Sequence, residues 1–209
     1  MRAATGPPTY AAAVTVPREQ PDSPPLFRAA LDALAAVVPR HEVIVEEGPA
    51  PQRLARHAVT LTADVVVDDI ELGTGRFVLL HEPDGHETWD GSFRIVTFIR
   101  AGVDPEMAAD PFASAVGWSW LTDALAAHGC PATMLGGTVT RVSSESFGEL
   151  DERPAEAHLE IRASWTPPML PAGRLADHFA AWVETLCQAC GLAPLPPGAT
   201  PIPSQHRRG

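Results

Sequence analysis

Proline is concentrated at the two ends of this sequence. Residues 1–25 contain six of the 22 prolines, and residues 191–209 contain five. Because proline lacks a backbone N–H and fixes its own φ angle, segments this rich in proline do not sustain helices or sheets. We therefore predict two extended or disordered tails on either side of one folded domain, residues 26–190, which is long enough to bury a sizeable core.

Hydrophobic periodicity predicts the first elements of this domain. Apolar residues at helical spacing indicate a helix from Pro24 to Val38. Apolar and polar residues then alternate from His57 to Val67, which is typical of a strand with one buried face. Two further strands, Arg76–Glu82 and Phe93–Arg100, are separated by turn-forming residues, so we predict that they form a hairpin.

The second half of the domain has the same mixed character. We predict a helical turn at Asp104-Pro105, a helix from Asp110 to Gly129, two antiparallel strands at Thr138–Phe147 and Ala157–Trp165, and a last helix from Arg174 to Cys190. The order α-βββ-α-ββ-α indicates an α+β fold, a single five-stranded antiparallel sheet packed by about three helices. This element order resembles the secretion-chaperone-like fold, in which dimers form through the middle of the chain.

The charge of the chain argues against nucleic acid as a partner. All 15 basic residues are arginine, and 26 acidic residues give a net charge of −11. Such a chain repels phosphates, and no basic stripe interrupts its acidic composition. We expect neither a membrane span nor a signal peptide, because no apolar run is long enough. Three cysteines, a small and odd number, are typical of a reducing compartment, so we predict a cytoplasmic protein.

The last two predicted strands carry a candidate binding site. Their polar faces comprise Arg141, Ser143 and Glu145 on the first strand, and His158, Glu160, Arg162 and Ser164 on the second. If the register brings these faces together, the sheet presents two arginines and two glutamates beside hydroxyl groups. Arginine forks hold carboxylates and phosphates. The alternative is a solvated sheet face linked by cross-strand ion pairs.

Trp118 is a second candidate contact residue. It lies two residues before Trp120 on the predicted helix, so the two side chains point in different directions. Trp120 falls on the apolar stripe and Trp118 does not. A large aromatic side chain away from the core is typical of an interface or of a pocket lid. The alternative is a helix that is buried on two sides.

We predict no metal and no cofactor. The first hairpin loop contains a set of possible ligands, namely His81, Glu82, Asp84, His86, Glu87 and Asp90, but their spacing matches no metal motif. Cys187 and Cys190 form a C-x-x-C sequence at the C-terminal end of a predicted helix, where the helix dipole does not lower a thiol pKa. We therefore expect buried, unreactive cysteines.

Several short sequence motifs are similar to those of one protein family. They are PAPQRL at 49–54, VLLH at 78–81, GWSWLTDAL at 117–125, GGTVTR at 136–141, SSESFG at 143–148 and EIRASWTP at 160–167. In these motifs the chain resembles the actinobacterial domain-of-unknown-function family numbered three thousand. The resemblance spans most of the folded region and implies neither an activity nor a catalytic residue.

Two functions are consistent with these features. The first is a non-enzymatic protein-binding, adaptor or chaperone-like module, with a possible protein partner and a possible homodimer. It follows from the absence of a catalytic motif, from Trp118 and from the element order. The second is an enzyme or small-ligand-binding protein whose Arg/Glu patch holds a carboxylate or phosphate. A concave, Trp-lined pocket over that sheet face would favour the second function, and a flat open face would exclude it. Fold analogy alone does not choose between the two functions.

Overall fold

An antiparallel sheet organises the chain in a computed structural model, which describes residues 23–168 and 171–194. The helices are α1 (Pro25–Ala35), α2 (Pro105–Ala109), α3 (Ala113–Ala127) and α4 (Leu175–Ala189). The strands are β1 (Val43–Gly48), β2 (His57–Val67), β3 (Ile70–His86), β4 (Gly91–Val103), β5 (Thr133–Ser144) and β6 (Glu156–Thr166). Of the predicted tails, residues 1–22 and 195–209 lie outside the described residues, so their disorder stays a prediction.

The strands follow the spatial order β1-β2-β3-β4-β6-β5, and every neighbouring pair is antiparallel. The α+β class and the antiparallel sheet are therefore confirmed. β6 lies between β4 and β5, so the edges of the sheet are β1 on one side and β5 on the other.

Alternating hydrophobicity positions the strands as predicted. β2 has the predicted bounds, and its alternate residues Val59, Leu61, Ala63 and Val65 are all buried. The predicted hairpin is formed by β3 and β4, which are both longer than expected. The last two strands are also antiparallel partners, and β6 extends one residue beyond the predicted strand at each end.

The predicted numbers of elements are wrong: the described sheet has six strands, and the described helices number four. The missed strand is β1. Its alternating pattern is too short to be recognised, because only Val43 and Val45 are buried and two glutamates, Glu46 and Glu47, follow them. The additional helix is α2, at the position where a helical turn was predicted; Pro105 occupies its first turn and Asp104 precedes it.

The helices cover one face of the sheet, which we call the helix face. Phe77 of β3 contacts Phe179 and Trp182 of α4, with ring centroids 5.2 Å and 5.6 Å away. Gly75 makes room for Trp182, because a Cβ atom there would lie 2.6 Å from the indole. None of the described helices is long and apolar enough to cross a membrane. The opposite face, which carries none of the described helices, is called the open face.

One histidine is buried within the helix layer. His178 of α4 is fully buried, and its Nδ1 accepts a hydrogen bond of 3.1 Å from Nε1 of Trp165 on β6. Its other nitrogen, Nε2, is buried without a partner among the described residues. Burial lowers the pKa of His178 to about 4, so the imidazole is neutral near pH 7.

Candidate functional site

The strand register separates the residues of the predicted patch. Residues directly opposite one another in antiparallel strands point to the same face of a sheet. Arg141 and Ser143 lie opposite Leu159 and Ala157, which are both buried on the helix face. Glu160 and Arg162 lie opposite other residues of β5 and point to the open face. The two polar sets therefore lie on opposite faces of the sheet and do not form one patch.

Arg141 connects β5 to α2. Its Nη1 donates hydrogen bonds to the carbonyl oxygens of Ala108 and Asp110, at 3.2 Å and 2.5 Å. These carbonyls lie at the C-terminal end of α2, where a helix leaves its last acceptors without partners. Glu145 lies just beyond the end of β5 and is exposed. The structure thus gives Arg141 a role in joining two elements.

Trp118 also lies on the helix face, away from Arg162. Its indole covers Gly137 of β5: a Cβ atom on this glycine would lie 2.7 Å from Cζ3 of Trp118 and 2.2 Å from the carbonyl oxygen of Arg162. Trp118 and Trp120 are both half-buried and both pack against the core. Both indoles therefore lie partly against the core and partly exposed, so an interface role for Trp118 stays a prediction.

The open face carries the polar residues of β6 together with side chains from four other strands. The register aligns three rows across β2, β3, β4, β6 and β5. They are Thr60, Val78, Val96, Ser164 and Gly136; Thr62, Arg76, Phe98, Arg162 and Thr138; and Asp64, Thr74, Arg100, Glu160 and Thr140. A depression of about 680 Å³, which we call the open-face groove, lies over the first two rows.

Phe98 lies at the centre of this arrangement, between two arginines. Arg76 and Arg162 flank it in the same row, one strand away on either side. The guanidinium carbon of Arg162 lies 5.0 Å from the centre of the Phe98 ring, which is a cation–π distance. Arg100 lies two residues further along β4, on the same face. One guanidinium group therefore packs on the phenyl ring, and two further arginines lie at neighbouring positions of the same face.

The three arginines differ in their partners. Arg162 forms an ion pair with Glu160, with Nη2 2.7 Å from Oε2. Arg76 and Arg100 have no carboxylate within 4.0 Å in the described part of the chain, and both side chains are exposed. The nearest polar contact of Arg100 is His158 Nδ1, 3.5 Å from its Nη2. Arg76 and Arg100 are therefore exposed cations without an acidic partner in the described part of a chain whose net charge is −11.

Arg94 closes one end of the open-face groove. It donates hydrogen bonds to Oγ of Ser164 at 2.6 Å, to Oγ1 of Thr166 at 3.1 Å and to the carbonyl oxygen of Met134 at 3.1 Å. Ser164, a predicted contact residue, therefore has its hydroxyl bound to another side chain. Burial lowers the pKa of Arg94.

Sequence reasoning missed the arginines and the phenyl ring of the central strands. Arg76, Phe98 and Arg100 all fall on strands that were predicted, and each alternates with buried residues. The alternation would have placed them on the polar face. The alternation does not show which strands are neighbours, and only the order of the strands places Arg76 and Phe98 beside Arg162.

The groups of the first hairpin loop have other contacts. His81 is buried against Phe93, with ring centroids 4.2 Å apart, and His86 is stacked on Trp89. Glu82 and Asp84 form ion pairs with Arg56 at 2.9 Å and 2.7 Å. Within residues 23–168 and 171–194, no three such side chains are grouped to hold a metal ion.

The three thiols should be unreactive in the folded protein. Burial raises the pKa of Cys130 to about 11 and the pKa values of Cys187 and Cys190 to about 12. We expect Ellman's reagent at pH 8 to modify the native protein at least about a hundredfold more slowly than the urea-unfolded protein. A single thiol that reacts at the unfolded rate would contradict this burial.

Comparison with known proteins identifies one family. The family model described as "Protein of unknown function (DUF3000)" matches residues 23–200, which is most of the chain and includes all of its described residues. No curated protein matches the chain, and no solved structure matches it. The likeness of the element order to secretion chaperones therefore stays a prediction.

Proposed function

The chain belongs to the DUF3000 family of proteins of unknown function, and we propose that it is a non-enzymatic binding module whose open face holds an acidic segment of a partner protein. The observation that carries this proposal is the presence of three arginines next to Phe98 in the strand register, two of them without an acidic partner among the described residues. The predicted cytoplasmic location, an adaptor-like or chaperone-like role and the protein partner are parts of the same proposal.

The composition of the open face supports protein binding. Its centre is apolar, with Phe98 half-buried and Val96 37% exposed. Three arginines of this face, Arg76, Arg100 and Arg162, are exposed, and arginine together with aromatic residues is enriched in the centres of protein interfaces. The carboxylates of Asp64 and Glu160 lie on the same face. Threonines at positions 62, 74, 138 and 140 border this centre and supply hydroxyl groups. An acidic segment would place carboxylates on the guanidinium groups and its apolar side chains over Phe98.

A small anionic ligand is the second candidate. The open-face groove, at about 680 Å³, has the size of many small-molecule sites. The same arginines would then hold a single carboxylate or phosphate ligand.

Substitution of the unpaired arginines tests the first candidate. We expect the double variant Arg76→Gln/Arg100→Gln to bind a fluorescein-labelled glutamate-rich peptide at least about tenfold more weakly than the native protein, because each charged hydrogen bond contributes about 1.5–3 kcal/mol. The measurement is fluorescence anisotropy at low and at physiological salt. Neither arginine forms an ion pair, so the substitutions should leave the thermal midpoint nearly unchanged.

Arg153→Gln is the matched control. This residue is exposed in the segment between β5 and β6 and carries the same charge, away from the open-face groove. Its peptide affinity should stay at the native value. If it loses as much affinity as the double variant, the effect reflects net charge alone. If the native protein does not bind acidic peptides but binds inorganic phosphate or citrate through Arg76 and Arg100, binding of a small anionic ligand replaces binding of an acidic segment as the proposed function.

A further inference from the structure

The two edges of the sheet are built differently. β1 has six residues, and two glutamates, Glu46 and Glu47, lie near its end. β5 has 12 residues, contains neither lysine nor proline, and carries a single charged residue, Arg141. Natural proteins protect exposed sheet edges with short strands, charges, prolines or bulges, because a free edge pairs with any other strand. β1 has such protection, and most of β5 does not.

β5 offers a regular edge over its last nine residues. Its only irregularity of register lies between Thr133 and Gly136, and pairing with β6 is continuous from Gly136 to Ser144. Apart from β6, no described residue is hydrogen-bonded to the backbone of positions 136–144. Alternate N–H and C=O groups of this segment therefore point away from the sheet without a partner in the described part of the chain.

We propose that β5 pairs with β5 of a second copy of this chain, antiparallel across a two-fold axis, to form a continuous twelve-stranded sheet. Antiparallel pairing of identical strands is symmetric by construction, and a two-fold interface uses the same surface on both partners. Each β5 strand then covers the free edge of the other, so a single contact protects the β5 edges of both copies. The pairing does not require that the open face bind an acidic segment.

The distribution of charge favours a second copy on this edge. Two chains of net charge −11 repel each other over most of their surfaces, but β5 brings no carboxylate to the junction. The guanidinium of Arg141 is bound to the carbonyl oxygens of Ala108 and Asp110 of its own chain. Glu145, just beyond the strand, would lie opposite the uncharged beginning of the partner strand. When the whole segment 136–144 is paired, its midpoint Thr140 lies on the axis and Arg141 lies opposite Val139 of the second copy, so no two like charges face each other along it.

The pairing also joins the two binding faces. Gly136, Gly137 and Thr138 of β5 line the open-face groove, together with Arg162 of the neighbouring strand. In the twelve-stranded sheet the two grooves lie on one continuous face, on either side of the axis. An acidic partner with two binding segments would then engage both grooves, and linkage would raise its overall affinity.

Cysteine crosslinking tests the position of the interface. The single variants Thr138→Cys, Thr140→Cys and Val142→Cys each place one additional thiol on β5. Of the native thiols, Cys130 and Cys187 are buried and Cys190 is half-buried, and the native protein is oxidised in parallel as the control. Paired strands bring Cα atoms to about 4.5–5.5 Å, within the range of a disulfide. After mild oxidation we expect at least one of the three to give mostly crosslinked dimer on a non-reducing gel. Ile44→Cys on the β1 edge, where this side chain is 49% exposed, should stay uncrosslinked.

The mass of the native protein completes the test. Light scattering after size exclusion should give twice the mass of one chain at micromolar concentration. A single-chain mass up to about 100 µM, well above the dissociation constants of specific dimers, would overturn the proposal. So would a dimer that Ile44→Cys crosslinks as well as the β5 variants. Crosslinking of a β5 cysteine to a different polypeptide would assign this edge to a foreign strand instead. Peptide binding by the monomer would preserve the proposed function even if the pairing fails.

Discussion

Replacing Gly137 with alanine should lower the free energy of unfolding by about 2 kcal/mol or more, within or above the usual cost of overpacking. The new Cβ atom would lie 2.2 Å from the carbonyl oxygen of Arg162 and 2.7 Å from Trp118. One of these contacts is backbone, so the strand itself has to move. Urea denaturation followed by circular dichroism measures the change.

Gly136 is the matched control for this substitution. It precedes Gly137 on β5, and a Cβ atom there meets nothing within 4 Å. Gly136→Ala should therefore be neutral or stabilise the protein by up to about 1 kcal/mol, since alanine restricts the unfolded chain. If the two variants unfold at the same urea concentration, Trp118 does not pack against β5 as described.

Acid should destabilise the protein through His178. The histidine pKa is near 6.5 in the unfolded chain, and burial lowers it to about 4 in the folded protein. Between pH 6.5 and 4 the unfolded state therefore binds a proton that the folded state does not. Stability contributed by this site is present above pH 6.5, falls by about 3 kcal/mol as the pH drops to 4, and is not regained below that value.

The His178→Gln variant isolates this contribution. Glutamine is not titratable, and its amide oxygen can accept the hydrogen bond that Trp165 now donates to Nδ1. Carboxylates such as Glu42, whose pKa is lowered by its hydrogen bond with Arg40, contribute equally to the pH dependence of stability in the native protein and in the variant. The free energy of unfolding, measured by urea titration from pH 4 to 8, should depend less on pH in the variant. Parallel curves would show that His178 is already protonated or accessible in the folded state.

Elements with a long, regular pattern were predictable from the sequence. β2 alternates over eleven residues and has the predicted bounds, because only one register buries its apolar side chains. α3 was less predictable. Phe112 and Val116 are apolar and lie at helical spacing from Trp120, yet they are 71% and 41% exposed. Gly117, which has no side chain to give an apolar signal, is the buried residue of this turn, and a Cβ atom there would lie 3.3 Å from Val139.

The candidate site was less predictable because it depends on register and on strand order. In a β-strand, a change of register by one residue moves every side chain to the other face of the sheet. In the observed register Arg141 lies opposite Leu159 and Arg162 lies opposite Thr138, so the two arginines point to opposite faces. No strand order follows from the sequence pattern, and β5 does not lie beside β4 although it is the next strand in the chain. The insertion of β6 between them is decided by tertiary packing, and it alone brings Phe98 next to Arg162.

The position of β6 sets an order on the assembly of this protein during its synthesis. β5 emerges from the ribosome before β6, yet its only neighbour in the described sheet is β6. The β4–β6 pairing joins residues about sixty positions apart, such as Ile99 and Ile161, and contacts of this length close slowly. Until the chain is translated past Thr166, β4 presents an uncovered apolar strand and β5 has no place in the sheet. Chaperone dependence of the nascent chain should therefore be greatest between the completion of β4 and the release of β6.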